Sequence, residues 1–144
     1  MGRRRVANQP IRLAAGSFIL NAGIGKLSAD EERAAGVHGM AKSSFPFFDK
    51  LPAEQFTKGL AASEVALGAA LVLPVVSDQL AGLGLTAFAG GLMWMYLQTD
   101  AMHEPNSIRP SRAGTALAKD VWLLGIGLTL LATGGKGRAA RHKD

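Results

Sequence analysis

The sequence predicts an all-α protein, a four-helix transmembrane bundle with a short interfacial helix in its first outer loop. Three observations carry that expectation. Four apolar segments recur along 144 residues, and one of them, LAGLGLTAFAGGLMWMYLQT, has no charge in 20 positions. Basic residues gather at the two ends, where Arg3, Arg4, Arg5, Arg12, Lys136, Arg138, Arg141 and Lys143 face Asp144 alone. Lys and Arg are retained in cytoplasmic segments, so basic ends around an apolar middle are a membrane-topology signal. Four charges set within the apolar segments, finally, Lys26, Glu64, Lys119 and Asp120, carry both signs and add to zero.

The first span is expected over Ile11–Leu27, although only Leu13 to Gly25 is free of charge. A cleaved secretory signal is the rival reading of this segment. Asn21 and Lys26 interrupt the apolar run and no small-x-small site follows, which argues against it. The outer loop from Ser28 to Gln55 contains DEERAAGVHGMAK, suited to a short helix, and then SFPFF. Phe45, Phe47 and Phe48 suit a headgroup boundary, either as a cover over the bundle or as a gating lid.

The second span covers Phe56–Val76, with Glu64 as the charge in its apolar part and Pro74 ending or kinking it. The third is Leu80–Thr99, with Trp94 and Tyr96 near its end as an aromatic belt. Twenty residues at 1.5 Å each cross a hydrocarbon core of about 30 Å. The fourth, Ala116–Thr133, carries Lys119 and Asp120 side by side about one turn from its start. Residues 1–135 then form the membrane domain and 136–144 a basic cytoplasmic tail. Four spans put both termini in the cytoplasm.

Small residues at four-residue spacing predict close helix contacts: Ala62, Ala66, Ala70; Gly82, Thr86, Gly90; Gly125, Thr129, Thr133. Such faces serve packing within one protomer or a homo-oligomer alike.

Composition excludes several kinds of chemistry. The absence of cysteine removes disulfides, thiol relays and iron–sulfur clusters. His38, His103 and His142 fall in loops and tail, so no axial pair for haem is expected and no metal site. The net charge of +5 lies on the ends rather than on a folded face with reader aromatics, which favours lipid headgroups over nucleic acid.

Placed by depth, Asn21, Lys26, Glu64, Tyr96, Lys119 and Asp120 all fall in the outer half of the bundle. Neighbouring residues on a helix point about 100° apart, so Lys119 and Asp120 should reach different partners. Lys119 is assigned to Glu64, and Asp120 to Lys26 or Arg109, with Arg112 also near. Glu64, Lys119 and Asp120 are the catalytic candidates, and all six residues are the binding candidates. The cluster is either a register-fixing network or a ligand or proton site, the default for ionisable groups inside a membrane.

RLAAGSFILNAGIGKL from Arg12, ERAAGVHGMA from Glu32, SEVALGAALVLP around Glu64 and SIRPSRAGTALAKDVWLL from Ser107 resemble the DoxX-like family of small bacterial integral membrane proteins. The resemblance covers residues 12 to about 131. It implies a multi-pass protein of the bacterial plasma membrane, and an accessory subunit of a quinone-linked oxidoreductase with a redox partner protein. By the same likeness the ligand is a quinone and Lys26, Glu64, Lys119 and Asp120 are the site. The chain has no electron-carrying residues of its own. A membrane scaffold that anchors partners without small-molecule chemistry is the alternative, and a small transporter a third.

Overall fold

The computed structural model describes residues 3–139, which are mostly helical with no strand among them. Four long helices carry the architecture: α1 (Arg3–Leu27), α3 (Ala53–Val72), α4 (Asp78–Gln98) and α6 (Val121–Ala139), with α2 (Glu31–Ser44) and the single-turn α5 (Thr115–Ala118) between them. Most of the basic tail, residues 140–144, lies outside the described residues.

Helix boundaries follow local chemistry. Asp30 caps α2, its carboxylate accepting from Arg33 N at 2.9 Å, and Glu31 and Glu32 occupy the positive first turn. A 3-10 turn, Pro46–Lys50, then folds the SFPFF stretch back. Helix α3 stops at Val72, two residues before Pro74, which disfavours helical backbone in the residue before it. Ser77 restarts the chain by capping α4 at Leu80 N.

Two boundaries differ from the sequence reading. Helix α1 begins at Arg3, well before Ile11. The fourth segment is not one helix, since a turn at Lys119–Asp120 separates α5 from α6. There the backbone tightens to i→i+3 bonds: Asp120 N to Leu117 O, Trp122 N to Lys119 O and Leu123 N to Asp120 O. The adjacent charges sit on a bend rather than on a straight rod.

The long helices pack chiefly as two pairs, α1 against α3 and α4 against α6, with lighter contacts joining the pairs. Glycine sets both pairs. A Cβ at Gly68 would lie 2.7 Å from Leu20 N and 2.9 Å from Gly16 O, and one at Gly23 would lie 2.9 Å from Val65 N. In the other pair, a Cβ at Gly82 would lie 2.9 Å from Gly127 O. Close backbone approach of this kind gains dispersion energy between the paired helices. Ile19 and Leu71 from the first pair meet Leu85 and Leu130 from the second in the central core.

The expected small-residue faces are therefore corrected in part. Gly82 and Thr86 do meet α6, but at Gly127. Gly90 and Gly125 have open space around them, while Ala62 and Ala66 face outward. Four-residue spacing of small residues occurs on several faces of a Gly- and Ala-rich helix, and the core side chains choose among them.

Two segments, α4 and Thr115–Gly134, are long and apolar enough to cross a membrane, each with mean hydropathy 1.5. Only 33% and 17% of their apolar windows are buried within the protein. Helix α1 likewise turns Leu13, Phe18 and Ile24 outward.

Candidate functional site

Polar groups collect at both ends of the bundle, and the two collections differ in kind. At the end near the α3–α4 turn, the Arg12 side chain is fully buried. Its Nε donates to Leu71 O at 2.9 Å. One terminal nitrogen donates to Val76 O at 2.9 Å and to Asp78 Oδ1 at 2.6 Å, and the other to Ala70 O at 2.8 Å and Leu73 O at 3.0 Å. All five guanidinium protons thereby find acceptors. Ala70 O and Leu71 O are carbonyls that the C-terminus of α3 leaves unpaired, where a cation also opposes the helix dipole, and Leu73 O and Val76 O belong to the turn that follows. Asn8 completes the knot by donating to Asp78 Oδ2 at 2.8 Å and Thr133 Oγ1 at 2.9 Å. Sequence reasoning counted Arg12 among the tail charges and missed this. The available signal was Asp78 beside a short turn with no basic residue of its own, at the same end as Arg12.

The other end holds a cavity of about 540 Å³ beneath α2. Its walls are mostly apolar, from Ile19 and Ala22 on α1, Val37 on α2 and Phe88 and Leu92 on α4. Three ionisable groups of the predicted set stand on these walls: Lys26, Glu64 and Asp120. Lys26 Nζ donates to both Glu64 oxygens, at 2.9 and 3.1 Å, with a longer contact to Ala22 O at 3.5 Å. Asp120 is half-buried and has no side-chain hydrogen bond or ion pair among the described residues. Arg33 comes in from α2, its guanidinium over Gly25. Phe18 lines the cavity yet is 60% exposed, so the cavity opens at the bundle flank there.

The expected pairing is therefore overturned. Glu64 pairs with Lys26, because Gly23 lets α1 lie on α3 directly below these two side chains. Helix α6 packs on α4 instead, and Lys119 is exposed. It stands one residue, about 100°, away from Asp120, which keeps the cavity side. Asp120 bonds neither Lys26 nor Arg109, and Arg109 and Arg112 are exposed. Asn21 is exposed as well, since Ala22 and Lys26, one turn apart, take the cavity face of α1.

Tyr96 is buried but off the cavity. Its hydroxyl donates to Ile108 O at 2.7 Å, and its ring meets His103 edge-on at 4.6 Å. It fastens the loop between α4 and α5, where Asn106 takes a left-handed φ of 55°. His38, which the sequence places in the first outer loop, is also buried, with Nε2 2.8 Å from Phe48 O and its ring 5.4 Å from Phe56. It ties α2 to the 3-10 turn and to α3, and α2 covers the cavity with Val37, Met40 and Ala41. Phe48 packs on Phe56 at 4.8 Å, while Phe47 stays 63% exposed. Among the described residues, no group of His, Asp and Glu is arranged to hold a metal.

No protein-family model, curated protein or solved structure matches the chain.

Proposed function

We propose that this chain is a four-span protein of the bacterial plasma membrane, with both termini cytoplasmic, that binds a lipid-soluble molecule in the cavity beneath α2. The cavity carries the reading. Pockets for small organic ligands run from roughly 300 to 1,000 Å³ and combine apolar walls with a few convergent polar groups. At about 540 Å³, with Lys26, Glu64 and Asp120 on its wall, this one has that size and composition.

The membrane reading draws on the outward apolar faces of α1, α4 and α6. Helices α1 and α3 are less apolar than α4 and α6, with Arg12, Lys26, Lys58 and Glu64 along their length. Much of that charge is matched inside the bundle, Arg12 by Asp78 and Lys26 by Glu64. Pairing lowers the cost of placing such groups at membrane depth.

The DoxX-like resemblance makes a quinone the leading ligand and the chain an accessory subunit whose redox partner supplies electrons. Gentle purification followed by mass spectrometry of bound lipids tests this. Quinone should accompany the protein and be lost when Ala22→Phe fills the cavity. Its absence from several mild detergents, with a folded protein, overturns the ligand assignment.

A further inference from the structure

The cavity's polar groups are unequal, and the inequality bears on what it accepts. Lys26 is committed. Its ammonium spends two protons on the Glu64 carboxylate and reaches toward Ala22 O with the third. Glu64 in turn is held by that ammonium on both oxygens. The donors the sequence offered for an accepting head, Lys119 and Tyr96, are elsewhere, one at the surface and one bonded to Ile108 O. What remains on the inner wall is Asp120, a carboxylate with no partner among the described residues. It sits at the α5–α6 turn on the cavity wall shared with Ala22, Leu92 and Leu123, within electrostatic reach of Lys26 and Glu64 but hydrogen-bonded to neither. Arg33 is the other charged group on the lining. It enters from α2, and the residue as a whole is exposed.

We propose that the cavity selects apolar molecules whose head donates a hydrogen bond, a ring hydroxyl above all, over heads that only accept. This rests on the reading of the cavity as a ligand site. A hydroxyl head can give its proton to Asp120 while its body lies along Ile19, Phe88 and Leu92. A head with carbonyl or ether oxygens alone brings a lone pair against a carboxylate and leaves Asp120 desolvated without a partner, which is the costly arrangement. For a quinone-type ligand, the reduced hydroquinone is the form held. A donor bond to a charged acceptor is worth roughly ten- to a hundredfold in affinity.

Two probes separate the cases: nonylphenol and its methyl ether, which share a body and differ in the donor. Affinities are measured on the full chain in lipid nanodiscs, for the wild type, Asp120→Leu, Arg33→Gln and Ala22→Phe, with thermal melting as the check on folding. Asp120→Ala replaces the leucine variant if that variant does not fold. The expected result is at least tenfold tighter binding of the phenol. That preference should disappear on loss of the Asp120 carboxylate, with ether affinity retained, and persist in Arg33→Gln. Equal affinities or a preference for the ether, with both probes lost in Ala22→Phe, overturn the selectivity while the ligand cavity stands. A phenol preference that survives removal of Asp120, or vanishes with Arg33→Gln, overturns it too. Binding of neither probe, or binding indifferent to Ala22→Phe, overturns selectivity and cavity together.

Discussion

Replacing Arg12 is the sharpest probe of how this bundle holds together. The wild-type side chain makes five hydrogen bonds, one to a carboxylate and four to main-chain carbonyls. Arg12→Leu removes all five. It strands Asp78 in a buried position with Asn8 as its remaining side-chain donor, and takes the partner from carbonyls at the end of α3 and in the turn after it. Breaking a buried pair from one side costs about 3 to 5 kcal/mol, and that is the loss expected here.

Arg12→Lys keeps the charge but offers three protons in place of five, without the planar fork. At least two bonds go, each worth about 0.5 to 1.5 kcal/mol, so a loss of roughly 1 to 3 kcal/mol is expected. Asp78→Leu added to Arg12→Leu should recover part of the stability, because the stranded carboxylate is gone. Unfolding by denaturing-detergent titration in mixed micelles reads all three. If Arg12→Leu loses less than about 1 kcal/mol, or lysine serves as well as arginine, the clamp is not what joins α1 to the α3–α4 turn.

The remaining expectations concern packing, the cavity and topology. Gly68→Ala and Gly23→Ala drive a methyl into main-chain atoms of the partner helix and should destabilise by about 1 to 3 kcal/mol; Gly90→Ala and Gly125→Ala, in open space, should stay within about 0.5 kcal/mol. The same titration checks all four. Glu64→Gln should reduce both stability and co-purified ligand, by removing the countercharge of Lys26; Lys119→Ala should leave both unchanged, and matched losses would return Lys119 to the site. The chain has no thiol of its own, so single cysteines at Ser43, Val75 and Ile108 report topology. In intact cells an impermeant reagent should label the first and third and spare the second, and labelling at Val75 would defeat the proposed orientation.

The helical architecture and the gathering of polar groups were legible in the sequence because they are written in composition. Apolar segments of helical length, turn residues such as Pro74 and Ser77, and an Asp-Glu-Glu start to α2 act locally, without knowledge of any partner. Lys26, Glu64 and Asp120 could be named as neighbours from depth alone. Which of them touch could not. That depends on the rotation of each helix about its axis and on which helix it lies against, and Gly16, Gly23 and Gly68 settle those by admitting α1 onto α3. Once α6 lay on α4, Lys119 was carried to the surface and Asp120 left facing the cavity. Arg12 shows the same division. Its charge reads as a tail residue in one dimension, and only the folded chain brings five acceptors from the α3–α4 turn around it. Periodicity and charge fix what each helix is, while close contact between particular backbones decides which charges meet.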